Sequence, residues 1–345
     1  MTEPVDRNAT SLPPKESTSA IVEPETLCVG ERHYTAHEEI SAKVIQRCFK
    51  KFLAFKSSLT PNEYGFKKYK TAKRVSYYFC GEGKLPYLVR PVYKSRVHYA
   101  GSEKWLERQS DRFVLLRPVA NSHTKSFTID SAKRLIHLGK LLVDCRFIYP
   151  QFVVEKDVIL SRNGGESLLK GYILQNHIIK LSQFKGVCSD LALLHQKELV
   201  VRDVNAGNFV VKLGEKSPVC LIDLDAMVTK VELAGQSSAK LTGKYSTSEL
   251  LNAQYRHDFE LTKRGDQYGF LMVMCESTCL ELAEVVEQHK GLTKGVLNEH
   301  NRQKFKNWAE KYVKPKYVEE ILAFLKCPEA KALSQPLHLM FNWDD

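Results

Sequence analysis

Between residues 75 and 178 the apolar positions come in short runs: VSYYF (75–79), YLVRPVY (87–93), RFVLLRPV (112–119), FVVEKDVIL (152–160) and SLLKGYIL (167–174). Runs of this length, rich in Val, Ile, Tyr and Phe and bounded by turn residues, predict strands. RNGG at 162–165 predicts a hairpin turn. One stretch from Asp130 to Cys145 has a helical period instead. From Ile178 onward the period becomes helical, over 178–197, 266–288, 301–312 and 317–327, with only FVV (209–211) and VCLID (219–223) reading as strands. The first 35 residues carry Pro, Ser, Thr and Glu with few large apolar side chains, which predicts a flexible tail. From Glu38 to Lys56 a stripe of Ile40, Val44 or Ile45, Phe49, Phe52 and Leu53 is flanked by Lys43, Arg47, Lys50 and Lys51, which predicts a basic amphipathic helix.

A β-rich stretch followed by a helical one predicts an α+β architecture of two lobes with a site between them. The expected divisions are a tail (1–35), the basic helix (36–60), a β-rich N-terminal lobe (61–177) and a mainly helical C-terminal lobe (178–345). No apolar run reaches the roughly 18–20 residues that span a bilayer, and the N-terminus lacks a secretory layout. A cytoplasmic protein without a transmembrane segment is therefore expected. The nine cysteines are scattered, with no paired CxxC, so neither a disulfide framework nor a zinc site is expected. Cys275 and Cys279, four apart on one helical face, read as core. The net charge of +11 favours anionic partners, among them nucleotides, acidic proteins or an anionic activator. No helix-turn-helix, zinc-finger or RNP-like pattern accompanies it, so nucleic acid is not an expected partner.

The stretch HQKELVVRDVNAGNFVVKLGEKSPVCLIDLDAM (195–227) concentrates the candidate chemistry. Asp203 and Asn208 lie five apart in a predicted loop, and Asp223 arrives 20 residues after Asp203 through a predicted hairpin. Phosphoryl transfer asks for such a set. One carboxylate orients the attacking hydroxyl, while a carboxylate and an amide oxygen hold magnesium.

RDVNAGN resembles the catalytic loop R-D-x-x-x-x-N of the protein-kinase superfamily, and LIDLD stands where that family has its metal-binding D-F-G. The resemblance implies that Asp203 is the catalytic base, that Asn208 and Asp223 are metal ligands, and that Arg202 supports an activation segment. Val201 stands where the family has His, a position that serves packing. Asp225 replaces the Gly to give D-L-D, a feature similar to aminoglycoside and choline phosphotransferases. KYSTSELL (244–251) resembles the end of an activation segment with Glu249 as its structural glutamate, and RGDQYGFLMVMC (264–275) the following helix, whose Asp266 braces the catalytic loop. YVEEILAFLKCPEA (317–330) is similar to the last helices of the large lobe.

The N-terminal lobe departs from the family. CGEGK (80–84) is a poor match to a Gly-rich loop. Spacing puts Arg117 where the strand lysine that binds phosphate belongs, with Lys94 as its rival. The helix from Asp130 has no Glu, leaving Asp130 as its only acidic candidate partner. The segment SAKVIQRCFKKFLAFKS resembles an IQ motif gripped by calmodulin-type EF-hand proteins, with Ile45, Gln46, Phe49, Lys50 and Lys51 as the contact positions; packing of the same helix on the small lobe and binding to a membrane surface are the alternatives. The resemblance implies ATP and Mg²⁺ or Mn²⁺ as cofactors and phosphoryl transfer to a protein hydroxyl. The other expectations are a small-molecule phosphotransferase, AMPylation or glutamylation on a kinase fold, and a non-catalytic scaffold. Strong divergence together with an IQ-like helix is similar to kinases that bacteria inject into host cells, which implies a host cytoplasm as the place of action.

Overall fold

The computed structural model describes residues 129–344, with breaks at 156–157, 163, 165–166, 212–216, 236–242, 253–256, 290 and 292–294. Of the first 128 residues it describes 61–63, four strands, and the helical, exposed positions Val44, Gln46, Arg47 and Lys50. Residues 1–56 and 57–345 are separate compact units. Ile45, Phe49 and Lys51 of the IQ-like segment, Lys94 and the run 87–93 lie outside the described residues.

The second unit is mixed α+β, with small antiparallel sheets. Strands β1 (Phe66–Lys70) and β2 (Ser76–Cys80) form one pair. Strands β3 (Lys104–Gln109), β4 (Phe113–Pro118), β5 (Gln151–Glu155) and β6 (Val158–Arg162) form a four-stranded sheet of order β3-β4-β6-β5. Helix α1 (Ile129–Leu141) lies between β4 and β5 in the chain. The run FVVEKDVIL, expected as one strand, is two: Val153 pairs with Ile159 and Phe152 with Leu160. Three successive charges, Glu155, Lys156 and Asp157, interrupt its apolar character. The run SLLKGYIL also differs, since only Ser167–Leu168 (β7) is strand and Leu169–Leu174 is helix α2. A short apolar run has no period of its own to separate the two states.

Helix α3 (Lys185–Gln196) leads to β8 (Leu199–Val200), which pairs with β11 (Val228–Thr229). Strands β9 (Phe209–Val211) and β10 (Val219–Leu221) form a hairpin, with β7 on the other side of β9. Short helices α4 (Lys230–Ala234) and α5 (Ser248–Leu251) precede the 20-residue α6 (Phe259–Thr278). Asp258 caps α6 by accepting from the Leu261 N–H at 2.9 Å. Every side chain from Asp266 to Thr278 is buried, so α6 is the central helix of the unit. Cys275, at 0% exposure, is part of that core. The expected helix 266–288 breaks at Cys279, whose extended φ of −149° separates α6 from α7 (Leu280–Gln288). Helices α8 (Arg302–Tyr312), α9 (Val318–Lys326) and α10 (Leu337–Met340) complete the unit. Among the described residues no helix is long and apolar enough to cross a membrane.

One apolar core runs from Leu135 on α1 to Phe341. Phe209 sits in its middle, edge-on to Phe270 of α6 at 5.3 Å and to Phe184 at 6.3 Å. Gly139 gives α1 a flat face against the sheet: a Cβ there would lie 2.5 Å from the ring of the buried Phe152. Glycine to alanine in an open helix gains about 1 kcal/mol. Here Gly139→Ala should instead lower stability by about 1–3 kcal/mol through overpacking, read as a lower urea midpoint. A raised midpoint would show that Phe152 moves aside freely.

Candidate functional site

The loop after β8 hangs from one buried carboxylate. Asp266 of α6, 1% exposed, accepts from the backbone N–H of Val201 at 2.7 Å and of Arg202 at 2.8 Å. Its Oδ2 also lies 3.2 Å from Nε2 of the buried His195 at the end of α3. Val201 is buried at 2% exposure, which suits its apolar side chain. Arg202 is also buried and adopts a left-handed φ of 72°, so the chain reverses sharply before Asp203.

Asp203 is held by two amides. Asn205 Nδ2 donates to its Oδ1 at 3.1 Å, and Asn208 Nδ2 donates to its backbone carbonyl at 2.8 Å and to Oδ2 at 3.3 Å. Asn205 also caps the turn by accepting from the Gly207 N–H at 2.9 Å. Asn208 thus uses its amide nitrogen on Asp203, and its amide oxygen accepts no hydrogen bond among the described residues. The neighbouring Phe209 is fixed in the core.

The hairpin β9–β10 brings Asp223 alongside. Leu221 pairs with Phe209, and the next residue, Ile222, donates to the Asn208 carbonyl at 2.8 Å. Asp223 follows directly, with a left-handed φ of 60°. Strand β10 is strapped from behind: Leu221 donates to Phe147 at 2.8 Å and accepts from Tyr149 at 2.9 Å. That strap is itself held by the buried Asp190 of α3, which accepts from the N–H of Phe147 at 2.5 Å and of Ile148 at 3.1 Å. Burial raises the Asp190 carboxyl against the opposing effect of those N–H groups.

After Asp223 the chain is gripped by α1. Arg134 donates through Nε to Glu232 Oε1 at 3.2 Å, through Nη1 to the Asp225 carbonyl at 3.5 Å, and through Nη2 to the Met227 carbonyl. Glu232 in turn forms a capping box with Thr229 at the start of α4. Burial alone would push the Glu232 carboxyl up, but the Thr229 N–H and the Arg134 guanidinium outweigh it and hold it below the ordinary range.

The segment that ends at α5 is pinned by a second α6 carboxylate. Glu276, 1% exposed, accepts from the Tyr245 hydroxyl at 2.5 Å and from Lys244 at 3.2 Å; Lys244 also meets Glu287 at 2.5 Å. Glu276 is thus an acidic anchor of this segment, and Glu249 lies on α5 just after it.

Hydrogen bonds link Arg202 to Asp266 and Asp203 to Asn208, and Asp223 directly follows the residue bonded to the Asn208 carbonyl, with Asp225 two residues further on. Arg117 has its backbone on β4, opposite Trp105, and its side chain lies outside the described residues. Arg134, Asn205, Tyr245 and Glu276 were not singled out by sequence reasoning. A lone acid within LMVMCEST was the available signal for Glu276. Among the described residues no three His, Cys, Asp or Glu side chains gather as a metal site. The donor set here, carboxylates with the Asn208 amide oxygen, is nevertheless the hard-oxygen kind that magnesium and manganese take. A groove of about 760 Å³ opens elsewhere, lined by Arg146, Lys185 and Trp343 among others, and none of Asp203, Asn208 and Asp223 lines it. No protein-family model matches the chain, and no curated protein matches it.

Asp266→Ala would strand two buried N–H groups and His195. At about 1–3 kcal/mol for each unsatisfied buried group, it should cost about 3 kcal/mol or more, measured by urea unfolding. A second expectation concerns pH. Burial raises the Glu276 carboxyl above its ordinary 4.5 despite Lys244 and Tyr245. Folded Glu276 thus binds its proton more readily than in the unfolded chain. Its contribution to stability is complete below the ordinary value and declines as pH rises through the folded one. Glu276→Gln keeps an acceptor for Tyr245 and should flatten that decline in a series of melting temperatures against pH.

Proposed function

We propose that this chain is a two-lobed, protein-kinase-like phosphotransferase that uses ATP with Mg²⁺ or Mn²⁺ to phosphorylate a protein hydroxyl. The observation that carries the reading is the joint arrangement of Asp203, Asn208 and Asp266. One amide ties the residue in the base position to the residue in the ligand position, and a buried helix carboxylate holds the loop backbone. An isolated surface Arg-Asp pair would need none of these bonds.

In this reading Asp203 accepts the hydroxyl proton as the oxygen attacks the terminal phosphoryl group, its carboxylate kept in place by Asn205 and Asn208. Asn208 Oδ1 and the Asp223 carboxylate would hold the divalent cation, which when bound neutralises phosphate charge. Arg117 on β4 is the phosphate anchor and Lys94 its rival. The pinning of Lys244 and Tyr245 on Glu276 supports a fixed ledge at the end of the segment, which suits a peptide more than a small molecule. Gln46, Arg47 and Lys50 are helical and exposed, which supports a calmodulin-type partner at 38–56.

Incubation with ATP labelled at the γ- or the α-phosphate, with and without host-cell extract, tests the reading. Transfer of the γ-label is expected, whereas transfer of the α-label alone would replace it by nucleotidylation. Asp203→Ala should lower turnover by about 100-fold or more with Mg–ATP binding retained. Asp223→Ala should lose metal-dependent nucleotide binding in calorimetry, and tight Mg–ATP binding by that variant would remove Asp223 from the metal.

A further inference from the structure

We infer that Arg134 is a positioning residue, through which helix α1 sets the place of the turn that carries Asp223. What Asp223 does rests on the phosphotransferase reading; what holds it rests on geometry.

Asp223 has a left-handed backbone, a conformation that is strained for a residue with a Cβ. Such a conformation persists only where its surroundings over-determine it. On the upstream side the constraint is the Ile222 N–H on Asn208. Downstream, Leu224 and Met227 are buried and the Met227 N–H closes on the Leu224 carbonyl at 3.0 Å. That small turn is then bound to the rest of the unit by Arg134, which takes the carbonyls of Asp225 and Met227 and, beyond β11, the Glu232 carboxylate. These three acceptors come from a stretch more than 90 residues further along the chain than Arg134.

The chemistry of the side chain fits this task. A guanidinium presents a planar fork of donors to several acceptors at once, which a lysine ammonium does not reproduce. Helix α1 is a firm base for it, since Leu135, Leu138 and Leu142 are buried and Gly139 lies against Phe152. The same helix has no glutamate to pair with a basic residue on a strand. Its link to the candidate centre runs instead from a basic residue of the helix to the backbone after Asp223.

The test uses the full chain with Arg134→Ala, Arg134→Lys and Glu232→Gln. Two measurements are read: amide hydrogen exchange over residues 222–229, and Mn²⁺ binding followed by its electron paramagnetic resonance signal. Arg134→Ala should raise exchange in 222–229 by about 10-fold or more, with α3 and α6 unchanged, and weaken Mn²⁺ binding at least as much. Glu232→Gln leaves both carbonyl bonds in place and should do less. Arg134→Lys should fall between them, and it replaces the alanine variant if that one does not fold. Unchanged exchange in 222–229 for both Arg134 variants would overturn the inference. If the wild-type chain binds neither Mn²⁺ nor ATP, the phosphotransferase reading fails, while the exchange pattern still decides whether Arg134 holds the turn.

Discussion

The carboxylate of Asp266 is the contact on which the candidate site depends. Its oxygens accept from two successive backbone N–H groups, and one of them also faces a buried imidazole. No ordinary loop could leave those groups in the core, because each buried donor without an acceptor costs about 1–3 kcal/mol. A carboxylate is a good answer to this need: it only accepts, and each oxygen takes more than one bond. Bonds to a charged acceptor are also stronger than neutral ones. The charge is placed on α6, the helix with the greatest burial, so the loop inherits the rigidity of the core.

The same device occurs twice more. Asp190 on α3 takes the N–H groups of Phe147 and Ile148, and through them steadies β10. Glu276, on the same helix as Asp266 and nearly three turns further along, takes the Tyr245 hydroxyl and Lys244. In each case an irregular segment meets the core at a buried acid on a helix. The apolar core supplies most of the stability, as burying one large side chain is worth about 1.5–3 kcal/mol. The buried acids supply what that force lacks, namely direction, since apolar contact alone does not fix the orientation of a loop backbone.

Much of this was legible in the sequence wherever a residue's neighbours along the chain decide its state. The helices over 302–312 and 318–326 match the helical period closely, and the strands at 209–211 and 219–221 were bounded by polar turns. The spacing of Asp203, Asn208 and Asp223 was readable because a hairpin converts a sequence interval into a spatial one. Short apolar runs were less readable, as the strand-to-helix change at 167–174 shows. Contacts between distant segments were not readable at all. Arg134 reaches acceptors more than 90 residues away, and its sequence neighbours give no sign of them. Glu276 illustrates the same limit, since its partners Lys244 and Tyr245 lie about 30 residues before it in the chain.

Two residues with left-handed backbones, Arg202 and Asp223, bracket the candidate centre, and they are held in different ways. The Arg202 turn is fixed by a carboxylate at 1% exposure, where water cannot compete and removing a partner is severe. The Asp223 turn is closed by the buried Leu224 and Met227 and by the Ile222 bond to Asn208, and is tied to α1 by Arg134, whose side chain and that of its partner Glu232 are 28% and 32% exposed. A pair open to solvent to that degree is worth less and is weakened by salt. The two ends of the site are therefore anchored by different kinds of contact. The end with Asp203 is anchored to the core through Asp266 of α6. The tie of the Asp223 end to α1 runs through a pair open to solvent, so of the two anchorings it is the one that responds to salt.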